Sequence, residues 1–129
     1  MHQGAVGAGI DLLDGATLGG VCQGRPLAVH PDTGLSVVGI VIPWWQETLL
    51  AAMRLADVLE MGYLGIDFVL DATHGPVVLE ANARPGLAIQ IANRAGLLHR
   101  LHFIDAQCPS PSSLTRRMSI LAALATSKC

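Results

Sequence analysis

The sequence predicts an α+β fold, an antiparallel sheet carrying two main helices. Three observations point there. Residues 65–82, "GIDFVLDATHGPVVLEAN", alternate with the period of two that marks a β-hairpin. Residues 46–61, "QETLLAAMRLADVLEM", place Leu49, Ala52, Met53, Ala56 and Leu59 or Glu60 at a helical period. The 14 glycines, set against an aromatic content of only 4%, suggest short elements joined by tight turns.

Taken in order, "AVGAGIDL" (residues 5–12) reads as a strand with glycine-relaxed positions, followed by "DGATLGG" as a turn. In "VCQGRPLAVHPDTG", short strand pieces are joined by the turn-forming "QGRP" and "HPDTG". "LSVVGIVIP" is expected as a strand or edge segment ended by Pro43. The helix from about Gln46 to Met61 is expected to close on Gly62. After the hairpin and Pro85-Gly86, a second helix is expected from about Leu87 to Ala95, with Gly96 as its stop. The composition then changes. Residues 105–129 read as a linker containing "PSPSS" and a short terminal helix from about Leu114, capped by Ser113.

A chain of 129 residues is long enough to bury a core. With 51% apolar and 14% charged residues, it does not have the composition of a disordered segment. A net charge of −2 supplies no electrostatic attraction toward nucleic acid or an anionic membrane, so neither is expected as a partner. No apolar run reaches the roughly 20 residues that span a bilayer. "MHQGAVGAGI" lacks the basic end and apolar block of a secretion signal. Cys22, Cys108 and Cys129 are too far apart for a metal pair and too few for a disulfide framework, so a reducing cytoplasm is the expected setting.

The chemistry concentrates in the hairpin. Gly65, Asp67, Val69 and Asp71 share one side of its first strand, and Val78, Glu80 and Asn82 share one side of its second. A register closing on Thr73-His74 sets Asp67 opposite Glu80, Val69 opposite Val78 and Asp71 opposite Pro76. It also brings Phe68 near Leu79 and Leu70 near Val77. Facing carboxylates repel across a ladder, and a cation between them removes the repulsion. Two carboxylates and an amide form an oxygen-only donor set that suits Mg²⁺ or Mn²⁺ rather than Zn²⁺, and Glu80, lying between Asp67 and Asn82, is placed to bridge two ions. Mg²⁺ commonly completes its shell with water and substrate phosphate, so the hairpin reads as a platform for a metal-bound nucleotide. Asp71 reads as a turn acid.

At these residues the sequence resembles the ATP-grasp superfamily. Gly65-Ile66-Asp67 stands where that superfamily has an Asp in a "G-[IV]-D" strand. Glu80-Ala81-Asn82-Ala83-Arg84-Pro85-Gly86 stands where it has "E-x-N-x-x-P-G". Over about residues 2–101, "HQGAVGAGID", "HPDTG", "GYLGIDFVLD" and "LEANARPGLAIQIANRAGLL" resemble more closely the alpha-L-glutamate ligase-like proteins, also described as sugar-transfer-associated ATP-grasp proteins. The resemblance implies that residues 1–104 are the C-terminal catalytic part of an ATP-grasp fold, with Asp67, Glu80 and Asn82 as metal ligands. Glu80, Asn82 and Gly86 would lie against a bound ATP. Arg84 would steady a phosphate or the developing oxyanion through its forked donors, a catalytic role set against that of an ordinary surface arginine. Gly86 would permit the turn into a helix whose N-terminus favours an anion.

The implied reaction joins a carboxylate, glutamate-type substrate to an amine acceptor through an acyl phosphate, with ATP and Mg²⁺ (or Mn²⁺) as cofactors. The nucleotide-holding lysines of such enzymes lie in a preceding lobe. This chain has one lysine, Lys128, so that lobe is expected to be missing and the chain to be a C-terminal portion. The alternative is a truncated, non-catalytic relic or binding module. His2 and Gln3 resemble the end of a strand lining the nucleotide or acceptor side.

Trp44-Trp45 could stack on a ligand or pack the first helix onto a sheet. His99 and His102, three apart near the end of the second helix, could ligate a metal or interact with the helix C-terminus. Gln90 and Asn93 form a polar face or reach the cleft, and the sequence leaves both open.

Overall fold

Two turn chemistries organise the N-terminal strands. Asp11 and Asp14 each accept a backbone N–H two residues on, from Leu13 at 2.7 Å and Ala16 at 2.8 Å, which reverses the chain. Gln23 and Gly24 both take left-handed φ, at 50° and 78°, the combination that a two-residue hairpin turn demands. Between and beside these turns run β1 (Val6–Ile10), β2 (Thr17–Cys22) and β3 (Arg25–Leu27), antiparallel in the order β1-β2-β3. The computed structural model describes residues 5–86, 89–93, 96–107 and 112–126. His2, Gln3, Cys108, Cys129 and Lys128 lie outside the described residues, as do Leu87, Ala88, Arg94 and Ala95.

The chain divides into two units, one formed by Pro43–Gly86 and the other by Met1–Ile42 with Leu87–Cys129. In the larger unit β2 is the central strand. Val21 on β2 is buried, and Val37, Ala92 and Ile120 are buried in the same unit. Thr17, also buried, is a junction. Its N–H donates to Ile40 O at 2.9 Å, its Oγ1 accepts the Ile40 N–H at 2.9 Å, and its carbonyl accepts the Gly39 N–H at 2.8 Å. α2 (Ile89–Asn93) packs on β1 and β2, and α3 (Leu97–Gln107) packs on α4 (Leu114–Thr126). Ser113 caps α4, its Oγ accepting the Arg116 N–H at 3.3 Å.

The smaller unit consists of α1 (Trp45–Val58) and the hairpin of β4 (Gly65–Asp71) and β5 (Gly75–Asn82). Trp44 enters α1 with φ 53° and supplies no side-chain cap. Its carbonyl accepts both the N–H and the Oγ1–H of Thr48 at 2.9 Å. The Trp44 ring lies over Gly75, about 3.7 Å from where a β-carbon there would stand, so this tryptophan packs the helix entrance against the hairpin.

Mixed α and β elements with antiparallel sheets are what the sequence predicts, but the strands separate into two sheets, and four helices stand among the described residues. Several local expectations are corrected. Thr17–Gly20, read as part of a turn, belong to β2, because Asp11 and Asp14 complete the reversal earlier. The segment "LSVVGIVIP" makes only the isolated bridges Val29↔Ser36 and Ala16↔Val41, since Gly39 at φ 77° interrupts any ladder. α1 stops before Gly62. Glu60 takes the left-handed position at φ 54°, its N–H donating to Asp57 O at 3.2 Å while Met61 N–H donates to Ala56 O at 3.1 Å, a Schellman closure without glycine. The residues from 97 onward form a separate helix, so exposed His99 and His102 sit in the first turns of α3 and not at a helix C-terminus. Among the described residues, no helix is long and apolar enough to cross a membrane.

Candidate metal centre

The site is built on the ladder between β4 and β5. Gly65 pairs with Asn82, Ile66 with Ala81, and Asp67 with Glu80. Beyond that point the register slips by one, so that Phe68 pairs with Val78, Val69 with Val77, Leu70 with Pro76 and Asp71 with Gly75. Leu79 is the extra residue. It has no partner on β4 and is 66% exposed. The expected pairing of Asp67 with Glu80 is therefore present. The expected pairings of Val69 with Val78 and Asp71 with Pro76 are not, and Phe68 and Leu70 stand opposite Val78 and Pro76 rather than Leu79 and Val77.

The turn causes the slip. Asp71 Oδ1 accepts the N–H groups of Thr73 at 2.9 Å and His74 at 2.8 Å and lies 2.9 Å from His74 Nδ1. Those bonds, with Gly75 at φ 73°, close a three-residue reversal over 72–74 instead of one centred on Thr73-His74. The donors around Asp71, the His74 N–H first, hold its carboxyl below the usual value of 3.8. Asp71 is thus a turn acid, and the bulge separates the register this turn sets from the register of the acid pair.

On the ladder, residues 65, 67 and 69 share a face with their partners 82, 80 and 77. This face presents Asp67 and Glu80 directly opposite each other, Asn82 two residues on, and the valine pair Val69–Val77 beside them. Asp67, Glu80 and Asn82 are all exposed, so their oxygens are accessible. Asn82 Oδ1 accepts the Arg84 N–H at 2.9 Å, which fixes the amide and leaves one lone pair on that oxygen. Four carboxylate oxygens and one oriented amide oxygen along a strip of two strands fit a hard divalent cation chemically. No trio of His, Cys, Asp and Glu side chains converges among the described residues, so any such ion would depend on Asn82, water or ligand oxygens to complete its shell.

The remaining candidates fall out differently. Arg84 lies beyond the end of β5 in an exposed bend. Gly86 is exposed, has no left-handed φ, and no described residue stands within 4 Å of where its β-carbon would be, so among the described residues neither backbone nor space demands glycine there. Within the motif, space does demand a glycine at Gly65, to which the sequence alone assigns no role. A β-carbon there would meet Pro85 Cβ at 2.5 Å. Gln90 and Asn93 belong to α2, in the unit that does not contain the hairpin, and Gln90 Oε1 is buried without a hydrogen-bond partner among the described residues.

An acid-bearing antiparallel hairpin, a second antiparallel sheet and packed helices make up a partial ATP-grasp fold. The chain belongs to the sugar-transfer associated ATP-grasp family, whose model matches residues 1–106. ATP-grasp proteins in general are ATP-dependent and ligase-like, use Mg²⁺ with the nucleotide and take carboxylate substrates. No curated protein and no solved structure matches the chain.

Proposed function

We propose that this chain carries the divalent-ion platform of an ATP-dependent carboxylate–amine ligase of glutamate type. The observation that carries this reading is the direct pairing of Asp67 with Glu80 on a face that also presents Asn82. Asp67 and Glu80 would hold one Mg²⁺ or Mn²⁺, and Glu80 and Asn82 a second. The ions would neutralise the ATP phosphates during phosphoryl transfer. In the overall reaction the substrate carboxylate takes the γ-phosphoryl group and releases ADP. The amine then attacks the acyl phosphate, forms the amide and expels inorganic phosphate. Arg84 is proposed to donate to a phosphate or to the developing oxyanion, and Gly86 to lie against the nucleotide. Residues 1–104 are proposed as the ATP-grasp part and 105–129 as a linker and terminal helix. A cytoplasmic setting suits three cysteines that form no framework.

One observation favours a second reading. The sole lysine of the chain is Lys128, whereas a nucleotide triphosphate calls for several fixed cations. A hairpin that binds ions while the phosphate-holding lysines come from another polypeptide segment would make this chain a binding module. Calorimetric titration of the full chain with Mn²⁺, and then with ATP in the presence of Mn²⁺, tests both. Ion binding together with ATP binding supports the ligase platform. Ion binding without ATP binding supports the module. No ion binding removes the basis of both.

A further inference from the structure

We infer that Gly65 and Pro85 are positioning residues for Asn82, the proline ring on the bare α-carbon of Gly65 holding the chain beyond β5 in the turn that aims the Asn82 carboxamide along the row of acids. The inference rests on the divalent-ion reading above and specifies how one ligand of that site is held. An ideal β-carbon on Gly65 would lie 2.5 Å from Pro85 Cβ and 3.2 Å from Pro85 Cγ, so the proline occupies the place of a residue-65 side chain. Gly65 has no left-handed φ, and this close approach is therefore what makes glycine necessary there.

Gly65 is paired with Asn82 and shares its face with Asp67. Pro85 consequently sits at one end of the acid row, on the side away from Val69 and Val77. Between Asn82 and Pro85 the chain makes a single tight turn in which Arg84 N–H donates to Asn82 Oδ1 at 2.9 Å. An unrestrained carboxamide rotates in a broad torsional well, and this bond removes that freedom. Glu80 and Asn82 are two residues apart on one strand face, about 6.7 Å along it, so an ion shared between them depends on the direction in which the amide oxygen leans. The Gly65–Pro85 contact is then a bolt across the ladder. It ties the loop carrying the Arg84 donor to the strand opposite Asn82.

The test uses the full chain and Mn²⁺, counted by the electron paramagnetic resonance of the free ion, with exchange of the Arg84 backbone amide followed by NMR in ion-free protein. Pro85→Gly removes the ring without adding a heavy atom, and Gly65→Ala drives a methyl group into it. Both are expected to speed exchange of the Arg84 amide and to weaken Mn²⁺ binding about 10-fold, the lower end of the range for losing an outer-shell partner. Neither should weaken it further in an Asn82→Ala background, which a merely structural role would not produce. If Gly65→Ala fails to fold, Pro85→Gly decides alone. Unchanged exchange of the Arg84 amide in Pro85→Gly overturns the inference, as do losses of affinity that add to that of Asn82→Ala. If Asp67→Asn combined with Glu80→Gln leaves Mn²⁺ affinity unchanged, the ion reading falls, and with it the role of Asn82 as a ligand, whatever the Arg84 amide reports.

Discussion

Neutralising Asp67 should change the sign of its effect on stability according to whether a divalent ion is present. Asp67 lies directly opposite Glu80, and both are exposed. Without an ion, an opposed like-charge pair destabilises a ladder by about 0.2–1 kcal/mol, so Asp67→Asn should gain roughly 0.5 kcal/mol. For cooperative unfolding of 129 residues the entropy at the midpoint is about 0.27 kcal/mol/K, and the gain becomes a rise in Tm of about 2 °C. At an ion concentration 100 times Kd, linkage stabilises the native chain by about 2.7 kcal/mol, or about 10 °C. The variant, lacking one of two facing carboxylates, should lose most of that shift. Differential scanning calorimetry in EDTA and in Mn²⁺ is the assay. The two proteins should exchange rank, the variant leading by about 2 °C in EDTA and the unaltered chain by several degrees in Mn²⁺. Asp71→Asn is the control, because the turn acid lies on the far side of the bulge, and it should retain the full ion-induced shift. An equal Mn²⁺ shift in Asp67→Asn and the unaltered chain, or a lower Tm of Asp67→Asn in EDTA, would refute the reasoning.

Gly75→Ala forces an alanine to φ 73° without a steric clash against Trp44, and should cost about 1–2 kcal/mol, read as a lower urea midpoint at unchanged slope, with Gly75→Asn less affected. Thr17→Val strips the acceptor from the Ile40 N–H inside the larger unit and should cost about 1–3 kcal/mol by the same measurement, whereas Thr17→Ser should be milder. The carboxyl of Asp71 has a lowered folded pKa, so the turn stability it supplies is fully present above 3.8 and is lost as pH falls from there through the depressed value. Amide exchange of Thr73 and His74 should accelerate in that window and be insensitive to pH in Asp71→Ala once intrinsic rates are divided out.

The sequence alone carried the elements whose signals are local. α1 shows in its periodicity, the cap of α4 in Ser113 and the hairpin in its alternation; the pairing of Asp67 with Glu80 is as expected, but it is reached through a bulge and not by the turn register the sequence suggests. The family was legible for the same reason, since "GID" and "EANARPG" are contiguous stretches whose spacing survives translation into a ladder. What tertiary structure decided was where two local preferences conflict. The Asp71–Gly75 turn closes in one register and the acid pair stands in the next, and only the assembled hairpin resolves this by leaving Leu79 unpaired. The role of Gly65 was hidden for a related reason. A glycine in a strand looks like mere tolerance until the residue that occupies its missing side chain, Pro85, is brought back from twenty positions along the chain. Backbone hydrogen bonding and side-chain period are written within a few residues and can be read there, whereas close approach between distant segments exists only after the chain has folded.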